Sequence, residues 1–174
     1  NALSQNSAEG TAGSASRMIK KLQADGVDPN SKSGAAASFL RPACVAFEPT
    51  TGDFLAIGFT SGHVKFVSVE TLEDVLSFAP SLDAILGLRF SASAMFLAAY
   101  DSSNHVMVFK RLLPDDEGYI DNGDGPSANF VYIGRILSHS APITGLTFGF
   151  KDGRDMLISV SADKHCVEYD LDNS

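Results

Sequence analysis

Apolar and polar residues change places in this chain at short, regular intervals. From residue 38 onward, brief apolar runs are separated by Gly, Ser, Asn, Asp and Pro. Short runs between turn residues read as strands, not helices. A first set falls at residues 44–47, 54–59, 63–67 and 75–78. A second falls at 85–90, 96–100, 105–110 and 131–136, and a third at 143–148, 156–161 and 166–171. The runs do not alternate cleanly: Leu55, Ile57 and Phe59 interleave with the small residues Ala56 and Gly58. That pattern suits a sheet covered on both faces.

The sets repeat one another. Phe54-Leu55-Ala56-Ile57-Gly58-Phe59, followed by His63-Val64-Lys65-Phe66-Val67, recurs as Phe96-Leu97-Ala98-Ala99-Tyr100 with His105-Val106-Met107-Val108-Phe109. It recurs again as Met156-Leu157-Ile158-Ser159-Val160-Ser161 with His165-Cys166-Val167-Glu168-Tyr169. Leu97 follows Leu55 by 42 positions, and Leu157 follows Leu97 by 60. A period of about 40–45 residues with four strands each predicts the blades of a β-propeller. The longer interval is a blade carrying an insertion at residues 112–129. The expected fold is all-β, with blades over 38–80, 81–137 and 138–174. The last lacks its fourth strand, and the chain begins at Asn1 without Met, so the segment reads as part of a larger propeller.

Residues 1–37 differ in kind, being dominated by Ser, Ala, Gly and Asn. They read as a linker, with a short helix expected at 16–25 around Met18, Ile19 and Leu22. Ten residues are marginal for a helix standing alone.

Charge narrows the partners. Residues 1–40 carry a net +1, and residues 41–174 a net −9. An acidic body without a Lys/Arg cluster argues against nucleic acid or an anionic membrane as the main partner. No apolar run approaches the ~20 residues that cross a bilayer. Cys44 and Cys166 stand 122 positions apart, in no ligand spacing, and read as small core residues in a reducing compartment.

The third unit carries further detail. It reads Ser138-His139, then Leu157-Ile158-Ser159-Val160-Ser161-Ala162-Asp163, then Val167-Glu168-Tyr169-Asp170-Leu171. This resembles the WD-repeat consensus of a Gly-His start, a Leu-Ala-Ser-Gly-Ser-x-Asp strand and turn, and a Trp-Asp end. In that family a His, a Ser, an Asp and a Trp form a structural hydrogen-bond relay in each blade. The resemblance assigns those positions to His139, Ser159, Asp163 and Tyr169. The first unit has Ile57, Ser61 and Val67 at the Ser, Asp and Trp positions, and the second has Ala99, Ser103 and Phe109. Those two blades are expected to rely on packing instead.

A narrower resemblance rests on Phe54-Leu55-Ala56-Ile57-Gly58-Phe59-Thr60-Ser61-Gly62-His63-Val64-Lys65, on Ser138-His139 before Pro142-Ile143, and on Val167-Glu168-Tyr169-Asp170-Leu171-Asp172-Asn173-Ser174. These stretches are similar to cilia- and flagella-associated WD-repeat proteins of the calmodulin- and spoke-associated complex. The resemblance implies a cytoskeletal scaffold of the ciliary or flagellar axoneme, holding a radial spoke to the doublet microtubule. Its implied partners are other subunits of that complex, with calmodulin and, indirectly, tubulin. Members carry more blades and a C-terminal calcium-binding-type region, neither of which is in this sequence.

Candidate chemistry is sparse. His63, His105 and His165 each follow the strand leucine by eight positions. Blades diverge from a central axis, which holds equivalent residues too far apart for one ion with ~2 Å bonds. They read as residues leaving a β-turn. The insertion holds Asp115, Asp116, Glu117, Asp121 and Asp124. Counted from Asp121 as a calcium loop, its required acids fall on Gly123, Gly125 and Tyr132, so the motif fails. It reads as an acidic solvated loop, with Tyr119, Ile120 and Phe130 as candidate anchors for a partner. There is no GxSxG, phosphate loop or HExxH. No cofactor and no catalysis are expected. The alternatives are a generic cytosolic WD adaptor, either a ubiquitin-ligase substrate receptor or a microtubule-associated propeller, and more remotely a propeller enzyme or ligand sensor.

Overall fold

The computed structural model describes residues 41–120 and 128–171. The linker and helix expected within 1–37 lie outside the described residues, as do Asp121 and Asp124. Eleven strands run through the described part: β1 (Pro42–Phe47), β2 (Phe54–Phe59), β3 (Val64–Ser68), β4 (Asp74–Phe78), β5 (Ile85–Phe90), β6 (Phe96–Asp101), β7 (His105–Arg111), β8 (Phe130–Leu137), β9 (Ile143–Lys151), β10 (Arg154–Ser161) and β11 (Cys166–Tyr169). They form three antiparallel sheets, ordered β1-β2-β3-β4, β5-β6-β7-β8 and β9-β10-β11. Within each sheet, sequential strands are therefore always neighbours. Among the described residues, no strand pairs with the outer edge of β11.

Packing explains why the strands do not alternate apolar with polar. The first and second sheets meet through Phe54, Ala56, Val64 and Phe66 on one side and Leu88, Leu97, Ala99, Met107 and Phe109 on the other. The second and third meet through Ala98 and Val106 against Ile143, Leu146 and Leu157. On β6, Leu97 and Ala99 thus point to one neighbour, and Ala98 points to the other. Both faces are dry, so both must be apolar. Every residue of β2 is buried as well.

Aromatic rings fill the first interface. Phe66 meets Phe78, Phe90 and Phe109 edge-on, with centroids 6.1, 6.3 and 6.4 Å away. It stacks on Phe130 at 4.7 Å with an interplanar angle of 22°. Offset stacks and edge contacts are the arrangements the ring quadrupole favours.

The three hairpins between second and third strands share one turn. Gly62, Asn104 and Lys164 occupy the same place with φ of +81°, +67° and +71°. The amide of each donates to the carbonyl three residues back, on Phe59, Asp101 and Ser161. Left-handed backbone suits Gly, and Asn tolerates it. Gly62 is further constrained, because a Cβ there would stand 2.1 Å from the Ser81 carbonyl oxygen.

The connections at the opposite end differ from sheet to sheet. Between β9 and β10, Asp152 and Gly153 both have positive φ, at +52° and +81°. Asp-Gly with both residues left-handed is the tight two-residue hairpin that matches strand twist. It lengthens β9 and β10 beyond the expected 143–148 and 156–161. Between β5 and β6, the Ser91 hydroxyl accepts the Phe96 amide at 3.1 Å. Between β1 and β2, Glu48 closes the turn, as described below.

Candidate functional site

The third sheet brings His139, Ser159, Asp163 and Tyr169 into one hydrogen-bonded line. His139 lies in the connection entering β9, Ser159 on β10, Asp163 in the turn after β10, and Tyr169 on β11. His139 Nδ1 is 3.0 Å from Asp163 Oδ2, and Nε2 is 2.7 Å from Ser159 Oγ. Ser159 Oγ is 2.8 Å from the Tyr169 hydroxyl. A carboxylate only accepts, so Nδ1–H donates to Asp163. With Nδ1 donating, a neutral ring has Nε2 free to accept from Ser159, whose oxygen is then free to accept from the Tyr169 O–H. His139 and Ser159 are buried. In so dry a place each polar group needs its partner, and the chain supplies all of them.

Asp163 also holds the backbone. Its Oδ2 accepts the Ser140 amide at 3.0 Å, and its Oδ1 accepts the His165 amide at 2.9 Å. Burial by itself would raise the Asp163 carboxyl. The amides of His165 and Ser140 and then the His139 ring outweigh it and hold the group well below the usual carboxylate range. The relay therefore ties the entering loop, the hairpin turn and two strands into one unit.

The second sheet departs from the packing-only expectation, because it has its own polar knot. Ser81 stands four residues before Ile85, just as His139 stands four before Ile143. Its hydroxyl donates to Asp101 Oδ2 at 2.8 Å. Asp101 Oδ1 accepts the amides of Ser103 and His105, each at 3.0 Å. Arg135 Nη2 lies 3.2 Å from Asp101 Oδ2, and the Asp101 side chain is fully buried. Asp101 occupies the Asp163 role from a position two residues earlier in the repeat. Aligning residues 97–105 with 157–165 one to one therefore hides it. The available signal was Ser81 at the His139 position, paired with an acid at the end of the strand.

The first sheet also carries a buried acid, again contrary to reliance on packing alone. Both oxygens of Glu48 are engaged: Oε1 by the Thr50 amide and hydroxyl, Oε2 by the Thr51 amide and hydroxyl and the Gly52 amide. Arg111 Nη1 of the second sheet approaches Oε1 to 3.5 Å. Burial opposes ionisation, but the Thr50, Thr51 and Gly52 donors prevail and hold the carboxyl at about 2.

The insertion leaves β7 at the end that carries the β5–β6 turn, since the Arg111 amide donates to the Met95 carbonyl. That end is opposite to Asp101 and the hairpin turn of the same sheet. Asp115 and Glu117 are exposed, and Ile120 and Leu113 are 63% and 49% exposed. Asp116 is half-buried and accepts the Leu113 amide at 2.7 Å, and Tyr119 is half-buried too. Asn129 closes the loop, accepting the Ile120 amide at 3.2 Å and donating to its carbonyl at 2.9 Å. Phe130 is corrected as a partner anchor: it is only 4% exposed, because its ring is committed to the stack on Phe66.

The three turn histidines do not converge. His63 Nδ1 lies 3.0 Å from Ser61 Oγ, His105 Nδ1 3.3 Å from Asp101, and His165 Nδ1 3.4 Å from Asp163. Each meets a group of its own turn.

Antiparallel sheets of three or four strands packed face to face, each with the same hairpin turn and two with an entering loop pinned to that turn, fit one architecture. The fold is that of a WD40 β-propeller. Three blades of it are described here, the third with three strands. The chain is similar to the β-propeller domain of Cps50 (Swd1) from Myceliophteria thermophila, at 14% identity and a TM-score of 0.57 over 77% of this chain. It is similar to the WD40 repeats of RRP9 and to U3-55K, each at 14% identity and a TM-score of 0.58 over 76% of this chain. It spans 41%, 36% and 36% of those chains. The sequence matches no protein-family profile and no curated protein.

Proposed function

We propose that these blades belong to a non-catalytic scaffold that works by protein–protein contact. One observation carries this reading. The side chains with the most chemical potential, His139, Asp163, Asp101 and Glu48, are each committed to holding a loop or turn. What faces outward is instead a contact surface, with Ile120 and Leu113 exposed among Asp115 and Glu117 on the insertion. Apolar side chains ringed by charge are the composition of a recognition patch.

The setting that the sequence resemblance supports is the axoneme of a cilium or flagellum. There the blades would form part of the link between radial spoke and doublet microtubule, beside other subunits of the spoke-associated complex and calmodulin, with tubulin reached indirectly. Fractionation of isolated axonemes tests this. The protein is expected to stay with axonemes after detergent and to leave in high salt. Its absence from axonemes sinks the axonemal setting and favours a cytosolic WD adaptor. Deleting residues 112–129 and comparing the proteins that co-purify tests the contact surface separately. An unchanged set of partners would remove the insertion from the reading.

A further inference from the structure

We propose that His105 is a proton-operated latch on Arg135. The inference concerns the polar knot of the second blade and stands apart from the axonemal reading. Arg135 Nη2 lies 2.9 Å from His105 Nδ1, 3.2 Å from Asp101 Oδ2 and 3.4 Å from Asp83 Oδ2. The same Nδ1 lies 3.3 Å from Asp101 Oδ1.

One ring nitrogen has two incompatible roles here. Towards Arg135 it must accept, since a guanidinium only donates. Towards Asp101 it must donate, since a carboxylate only accepts. The shorter distance belongs to Arg135, so the neutral ring carries its proton on Nε2 and receives the arginine on Nδ1. Protonation ends that arrangement. Nδ1–H then donates to Asp101 Oδ1, and the imidazolium faces the guanidinium across a hydrogen-bond distance. Two positive charges that close repel each other strongly in a partly buried site.

Asp101 is the pivot of the exchange. It already accepts Ser81, two backbone amides and Arg135. A cationic His105 competes for it directly, four residues further along the same turn and 3.3 Å from Oδ1. Arg135 is then left with Asp83, whose side chain is 40% exposed and holds weakly in water. The other charged or titratable groups facing this cluster are Tyr132 on β8, which feels both Arg135 and Asp101, and Glu168 on β11, which shares a groove with Arg135. Neither offers a second carboxylate within the bonding distances of the knot. The latch releases a cation at the rim of an acidic body.

Labelling the full chain with an arginine-selective dicarbonyl, followed by mass spectrometry, tests the latch. Arg89 is exposed and serves as internal reference. The ratio of Arg135 to Arg89 modification is expected to rise several-fold between about pH 8 and about pH 5. In His105→Gln the amide oxygen accepts from Arg135 at every pH, and the ratio should stay low and flat. A flat ratio in the unaltered chain overturns the proposal, as does the same rise in His105→Gln. Imidazole nitrogen resonances of the unaltered chain decide independently of the variant. Near pH 8 Nδ1 of His105 is expected to carry the lone pair and Nε2 the proton, and the reverse tautomer overturns the latch.

Discussion

Phe130 stacks on Phe66 with ring centroids 4.7 Å apart. The residue that ends the insertion is thereby a core residue of the interface between two blades. The solvated loop has a fixed return point, because burying a large ring outweighs the entropy of closing the chain. Phe130→Ala should cost about 3–5 kcal/mol of stability. Ile120→Ser, nine residues before Asn129 and exposed, should change it by less than about 0.5 kcal/mol. Urea titration of both variants checks the contrast. Equal effects would place Phe130 outside the core.

The relay in the third blade makes graded predictions. Tyr169→Phe keeps the ring and removes only the donor to Ser159, so it should cost about 1–2 kcal/mol. Ser159→Ala leaves both His139 Nε2 and the Tyr169 hydroxyl unmatched, and should cost more, about 2–3 kcal/mol. The double variant should cost less than the two losses added together, since the residues share one bond. A double-mutant cycle by chemical denaturation measures that coupling.

Glu48 sets an acid limit. Its carboxyl titrates at about 2 in the folded chain against a usual 4.5. The unfolded chain therefore binds the proton more readily between those values, and stability rises with pH there. The contribution, roughly 3 kcal/mol, is complete above the unfolded value and is lost as pH falls towards the folded one. Glu48→Gln should flatten the acid side of the stability profile, which denaturation midpoints near pH 7 and near pH 3 would reveal.

Turn backbone distinguishes two positions that occupy the same place in their hairpins. Gly62→Ala meets both a φ of +81° and the Ser81 carbonyl, so it should destabilise by well over about 1 kcal/mol. Lys164 has a φ of +71° and is exposed. Lys164→Gly should relieve strain and stabilise by up to about 1 kcal/mol. Thermal melts of the two variants should move in opposite directions.

The two cysteines should react differently. Cys44 is half-buried between blades, with its Sγ 3.7 Å from the Ile85 carbonyl oxygen, and burial pushes its thiol up to about 11. Cys166 is exposed. Only the thiolate attacks. At neutral pH a thiol reagent should modify Cys166 rapidly and Cys44 only on unfolding, as peptide mapping before and after denaturant would record.

Much of this fold is written in local pattern. Strands 54–59 and 96–101 are legible because nearly every side chain in them is buried, which demands apolar residues at almost every step, and 156–161 because it repeats their spacing. The relay His139–Ser159–Asp163–Tyr169 is legible because each member keeps its place in the repeat. The Asp152-Gly153 hairpin was equally open to reading, since the dipeptide itself demands left-handed backbone.

Other features depend on what the chain meets after folding. Asp101 and Arg135 are 34 positions apart, and nothing in their spacing announces a pair. Glu48 looks like any acid before a proline, yet the turn folds back so that Thr50, Thr51 and Gly52 all point donors at it. Phe130 reads as the end of an exposed loop and belongs to the core. Strand spacing, turn type and repeat length are local properties, so the sequence by itself determined the propeller. Which acids are buried, which cations answer them and where the insertion is anchored depend on contacts between distant segments, and only the tertiary structure decided those.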